Sequence, residues 1–212
     1  MTKKKTMLIG CLHLDSNYAI KYRPWAPQDK VAYNDFIIER INSDLNENDQ
    51  LIMLGDISDS KKGWDLLGNL NTKNIILVDG NHDRGASPYA KLKFVKDIQG
   101  FNIQQLNGFN IMISHCPIHP IELTYTENSV NIHSHSHMNS IQDPNYLNLS
   151  FDSFRAPITM QTALEYVEYN RHFFAINQRL PLVLFDDNHN FTVEGFQTWK
   201  FAKMIQEQQI SN

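Results

Sequence analysis

Cysteine is scarce in this chain, with only Cys11 and Cys116 among 212 residues. Both stand next to candidate metal ligands, which argues against a disulfide framework and fits a reduced compartment. Positive charge is not in excess either. The 19 Lys and Arg face 23 Asp and Glu, for a formal net charge of -4 and a pI near 6.1. A nucleic-acid-binding domain usually shows clustered Lys and Arg and a pI above about 9, so nucleic acid is not an indicated partner. Long apolar runs are also missing. Lys3-Lys4-Lys5 precedes only Met7, Leu8 and Ile9, too few for a signal-peptide core or a membrane span. The expectation is a cytoplasmic protein with no membrane association. No repeat or low-complexity linker divides the chain, whose length suits one core plus an appendage. Oligomeric state leaves no mark.

What is present is a recurrence of short apolar runs, at residues 7–10, 50–54, 75–78, 109–113, 130–132 and 146–149, each of strand length. Helical periodicity lies between the early ones. Residues 27–45 carry a stripe of Val31, Phe36, Ile37, Ile41 and Leu45 behind Pro27. Trp64, Leu66, Leu67 and Leu70 suggest a second helix, and Ser87-Pro88 opens a third carrying Leu92, Phe94, Val95 and Ile98. Strands alternating with helices imply βαβ units and parallel pairing. Residues 101–150 then read as strands alone, separated by turn residues such as Asn107-Gly108, which predicts a second, more antiparallel sheet. A last core helix is expected over 159–169. Residues 170–212 are read as an extension packed on the same domain, a hairpin about residues 186–190 followed by a short helix through Trp199 and Met204.

Metal-capable side chains follow these apolar runs in clusters: Cys11 and His13, Asp56, Asn81 with His82 and Asp83, His115, then His135 and His137. In an open α/β sheet, loops from different strands converge beyond the carboxyl ends. A pair of cations about 3.5 to 4 Å apart needs a bridging ligand and terminal ligands on each side. Asp56 can bridge with two oxygens, the histidines offer imidazole nitrogens, Asn81 a carbonyl oxygen, and Cys11 a thiolate once deprotonated. His135 and His137 are two apart, so in extended chain they share one face. Glycines before Asp56 and Asn81 allow sharp turns at the strand ends.

The order of these clusters resembles the calcineurin-like metallophosphoesterase family, whose pattern reads Asp-x-His, Gly-Asp, Gly-Asn-His-Asp/Glu, a lone His and Gly-His-x-His. Residues 9–25, with Tyr22-Arg23-Pro24-Trp25, are similar to a small phosphoesterase subgroup of bacteria and tailed phages. The resemblance spans residues 6–169. It implies a four-layer α/β fold of two stacked mixed sheets flanked by helices. It also implies two divalent cations, manganese foremost, and hydrolysis of a phosphomonoester or phosphodiester by a metal-bound hydroxide. Cys11, His13, Asp56 and His137 would hold the first ion. Asp56, Asn81, His115 and His135 would hold the second, with His82 as the acid and Asp83 orienting it.

Two positions depart from that pattern: Cys11 replaces the leading Asp, and Ser134 replaces a Gly. A Cys11 thiolate would favour zinc or iron; a buried, unliganded thiol is the other option. Asp83 could instead satisfy loop amides. His133 is expected deeper in its strand as a structural imidazole, and Asp59 as a cap of the Trp64 helix. Arg23 is a candidate for the substrate phosphate, with a salt bridge as the alternative. Expected substrates are small or nucleotide-like. A nuclease, or a scaffold weakened at Cys11, stays open.

Overall fold

The computed structural model describes residues 4–85 and 87–210, so Lys3 of the basic run lies outside the described residues. In chain order, β1 (Thr6–Ile9) leads to α1 (Asn17–Tyr22) and α2 (Lys30–Asn42), then β2 (Gln50–Met53), α3 (Lys61–Asp65), β3 (Ile75–Val78), α4 (Pro88–Lys91) and β4 (Asp97–Gln99). A second series follows with β5 (Asn102–Leu106), β6 (Phe109–Ile113), β7 (Ser129–His133), β8 (Tyr146–Asn148), α5 (Phe151–Phe154), β9 (Ile158–Thr159) and α6 (Met160–Asn177). The chain continues with β10 (Val183–Phe185), β11 (Phe191–Val193) and α7 (Phe196–Ile210).

Two mixed sheets result. The first has the order β4-β3-β2-β1-β9, parallel except for the β1–β9 pair. The second has the order β5-β6-β7-β8, and only β5–β6 is antiparallel. The more antiparallel second sheet expected from the strand run is therefore corrected. The turn at residues 107–108 makes one hairpin, while longer connections bring β7 and β8 in parallel.

Alternation along the strands divides the core. Met7, Ile9, Leu51, Met53, Ile75 and Leu77 pack with Ile37, Ile41 and Trp64 of the helices. Their neighbours Leu8, Ile52, Leu54 and Val78 pack with Ile111, Ile113, Val130 and Ile132 of the second sheet. A strand buried on both faces has no polar alternation, which explains the continuous apolar runs.

Local chemistry sets the helix limits. Asp29 caps α2 by accepting from the amides of Val31 and Ala32, so that helix starts beyond Pro27. The third expected helix is shorter than its apolar stripe: α4 ends at Lys91, and Ile98 lies in β4. The last core helix is longer, since α6 runs past Tyr169 to Asn177 before Gln178 turns left-handed at φ 54°. Beyond it, the Phe196 ring packs tilted against Tyr166 with centroids 4.3 Å apart, and Lys200 and Lys203 pair with Glu165 and Glu168. The Arg155 guanidinium lies 3.6 Å from the Phe185 ring centre and 4.2 Å from that of Trp25, joining the hairpin to the segment before α2. Among the described residues, no helix is long and apolar enough to cross a membrane.

Candidate metal centre

The backbone beyond β1 and β2 continues side by side. Cys11 N–H donates to Gly55 O, His13 N–H to Asp56 O, and Leu14 N–H to Ile57 O, at 2.8 to 3.0 Å. Along this path Cys11 (φ 54°), His13 (φ 50°) and Asp56 (φ 56°) are left-handed, as are His135 (φ 64°) and His137 (φ 51°) on the opposing loop. Non-glycine residues rarely adopt this conformation, and such strain, of order 1 to 3 kcal/mol each, concentrates at functional sites. Glycine is required beside them for space. A Cβ on Gly80 would come 2.4 Å from the Asp56 nitrogen, and one on Gly55 (φ 79°) 2.6 Å from His115 Nδ1.

The clusters converge. Ligand atoms of Cys11, His13 and His137 lie within 4.8 Å of one another, as do those of Cys11, Asp56 and His115. His115 Nε2 stands 3.0 Å from Asn81 Oδ1, 3.1 Å from His135 Nδ1 and 3.3 Å from Asp56 Oδ1. Its other nitrogen meets Leu54 O at 2.7 Å, which fixes the ring with Nε2 toward the cluster. His13 Nε2 is buried without a hydrogen-bond partner, 3.8 Å from Asp56 Oδ2. Acceptor atoms crowded together and an orphaned imidazole nitrogen are what a cation would satisfy, so these residues fit a metal centre.

For His13, Asp56 and His135 the electrostatics agree, whereas for His115 burial, which lowers it, is outweighed by the Asp56 hydrogen bond, which raises it. Burial, helped by the Arg23 charge, pushes the His13 imidazole down to about 3, leaving it neutral and able to ligate. Burial would raise the Asp56 carboxyl, but the hydrogen bond from His115 and the His82 N–H at 2.8 Å outweigh it and hold it at about 2. Burial also lowers His135. Cys11 is fully buried; burial pushes its thiol up to about 12, and its Sγ accepts the His135 N–H at 3.1 Å. Ser134, where the family has Gly, is accommodated: its Oγ donates to Leu54 O and lies 3.0 Å from His115 Nδ1.

Three expectations are corrected. Asp83 does not orient His82. It is buried beneath the Asp56 loop, where it accepts the amides of Asp56, Ile57 and Gly80 at 2.7 to 2.9 Å. His82 pairs instead with Asp59, Nδ1 to Oδ1 at 3.0 Å, and both are exposed. Asp59 is not the helix cap; Ser60 caps α3 through Gly63 N–H. Arg23 is not available to a substrate phosphate, being 1% exposed. It holds Asp152 bidentately at 2.8 and 2.7 Å, donates to the carbonyls of Cys11 and Leu12, and contacts the Tyr33 hydroxyl. Asp152 in turn accepts from His137 Nδ1 at 2.8 Å. Burial opposes ionisation of Asp152, but His137 and Arg23 keep it below the usual carboxylate range.

Asp152 and Asp59 were missed as site residues, as was Cys116, whose sulfur comes within 4.8 Å of the ligand atoms of His115 and His135. His133 is buried and structural as expected, Nδ1 at 2.8 Å from Ser134 O.

Two mixed sheets flanked by helices, with this cluster where the strand ends meet, are the architecture of a metallophosphoesterase domain. The profile of the calcineurin-like phosphoesterase family matches residues 4–193, and the chain belongs to that family of phosphoester hydrolases. It is 28% identical over 156 residues to the uncharacterized protein MJ1445 of Methanocaldococcus jannaschii, covering 70% of this chain and 78% of that one. A protein of unknown function from Aquifex aeolicus, AQ665, shares the fold with a TM-score of 0.60 at 23% identity, over 76% of this chain and 97% of its own. The Escherichia coli phosphoesterase Yfce gives a TM-score of 0.43 at 15% identity, over 69% and 78% of the two chains.

Proposed function

We propose that this phosphoesterase is metal-dependent, and that it hydrolyses a small or nucleotide-like phosphomonoester or phosphodiester at a two-cation centre. One observation carries the proposal: His13 Nε2, His115 Nε2, Asn81 Oδ1 and His135 Nδ1 crowd together beside the Asp56 carboxylate, and the buried His13 Nε2 has no hydrogen-bond partner. Cys11, His13, Asp56 and His137 would hold the first ion, and Asp56, Asn81, His115 and His135 the second. When bound, a divalent cation pair supplies Lewis acidity toward the phosphoryl group and makes water nucleophilic near neutral pH. An oxygen- and imidazole-rich second set suits manganese, while the Cys11 sulfur moves the first toward zinc or iron.

The chain supplies the remaining steps. Asp59 accepts a hydrogen bond from His82 Nδ1, which orients the ring. Its centroid is 5.3 Å from that of His13, so Nε2–H can give its proton to the leaving oxygen beside the cluster. Arg23 and Asp152 fix His137 so that Nδ1 is committed and Nε2 is left for ligation.

A second possibility, a binding scaffold with a weakened first site, is favoured by the neutral, buried Cys11 thiol. Turnover separates them: metal-loaded protein should hydrolyse p-nitrophenyl phosphate or its bis-ester, with activity removed by chelation and restored by manganese. No turnover with any divalent cation would leave the scaffold.

A further inference from the structure

A cavity of about 250 Å³, none of whose lining residues is a proposed cation ligand, lies between α5, α6 and the β10–β11 hairpin. Its wall contains two polar side chains from one face of α6, Tyr166 and Asn170, one helical turn apart. They are 6% and 7% exposed, and neither the hydroxyl nor the amide has a hydrogen-bond partner among the described residues. Unlike the enclosed unpaired atoms such as His133 Nε2, both groups keep some accessible surface, so they open on the cavity and can bond to what enters. Burial, together with the Glu165 charge, raises the Tyr166 hydroxyl to about 12, which keeps it a neutral donor.

The rest of the wall defines what enters. Phe154, Phe185, Leu147 and Val193 supply aromatic and aliphatic surface. Asp152 is the single ionisable acid or base of the wall apart from tyrosine, and its oxygens are taken by Arg23 and His137. A charged ligand would therefore meet no counter-charge. An apolar cavity of about 150 Å³ accepts a benzene ring, so this one has room for a fused pair of rings. Exposed Met138, Ser140 and Leu182 also belong to the wall, which places an opening at the surface beside the His137 loop.

We infer that this cavity is a binding site for an uncharged, flat heteroaromatic ring, read by the Asn170 amide and the Tyr166 hydroxyl. The site does not depend on the phosphoesterase chemistry. It is nonetheless joined to the cation ligands, because Asn148 and Ser153 of its wall both donate to the His137 carbonyl at 2.7 Å.

The test is titration of ¹⁵N-labelled, metal-loaded full chain with adenine, thymine and indole, following the Asn170 side-chain amide and the Met138 backbone amide. Saturable shifts are expected for at least one ring. Tyr166→Phe and Asn170→Leu should each weaken it about 2- to 10-fold, the range of one net hydrogen bond, with spectra otherwise folded. Absence of saturable shifts with all three rings, or equal affinity in both variants, would overturn the proposal. If adenine binds, adenosine monophosphate tells its source: tighter binding than adenine makes the ring part of a phosphoester substrate, and equal or weaker binding makes it a separate ligand.

Discussion

His82 and Asp59 form a pair, Nδ1 to Oδ1 at 3.0 Å, at the rim of the candidate metal centre. A general acid typically contributes about 10²- to 10⁴-fold, so His82→Ala should lower kcat by that range. Asp59→Asn should lower it by about 10- to 100-fold, because the partner only orients the ring. Metal content should stay at the wild-type value in both. Steady-state kinetics with metal analysis check this; full activity in His82→Ala would remove the acid assignment.

Cys11 should control which metal the first site prefers. Cys11→Asp exchanges a sulfur that must lose a tightly held proton for an oxygen that is already ionised. Manganese affinity should rise by about tenfold or more and the preference for zinc should fall, following ligand softness. Competitive metal titration followed by calorimetry reads both. Unchanged selectivity would mean that the sulfur stands outside the coordination set.

Arg23 is a structural residue that reaches the site through others. Arg23→Met leaves the buried Asp152 carboxylate with His137 as its remaining charged partner, and breaking a buried ion pair this way costs about 3 to 5 kcal/mol. Urea denaturation should show that loss, and the fraction still folded should keep its KM for p-nitrophenyl phosphate. A raised KM with unchanged stability would restore the phosphate-binding role first assigned to it.

The strand ends were legible because each ligand cluster follows an apolar run, and both signals are local in sequence. Asp56, Asn81, His115, His135 and His137 fall together for that reason. The supports were not legible, since Arg23 finds Asp152 across 129 positions and nothing near either residue announces the partner. Asp59 did carry a signal, three residues after Asp56, but Ser60 next to it is the better cap and took the role given to Asp59. Asp83 is adjacent to His82 in sequence, yet the tight turn at Gly80 sends its carboxylate inward to the amides of the Asp56 loop. In the fold, β4 and β5 escaped notice because Asp97, Gln99, Gln104 and Gln105 interrupt their apolar pattern.

Acid should destabilise the metal-free protein through its buried imidazoles. Burial lowers His133 to about 4, whereas an unfolded histidine titrates near 6.5. As pH falls, the unfolded chain takes the proton first, so the His133 contribution is complete above 6.5 and is lost between 6.5 and about 4. Each such histidine adds a slope of about 1.4 kcal/mol per pH unit in that window. Urea midpoints of chelated protein should therefore drop over this interval, and less steeply in His133→Gln. An identical slope in the variant would contradict this.

The most direct measurement is a manganese titration of metal-free protein, with turnover of bis(p-nitrophenyl) phosphate recorded alongside bound metal. If two ions share the Asp56 carboxylate as proposed, activity should grow until two ions are bound per chain, and Asp56→Asn should lose both the second ion and the turnover. Full activity with one ion, or in chelator, or undiminished turnover in Asp56→Asn would contradict a two-cation centre built on Asp56.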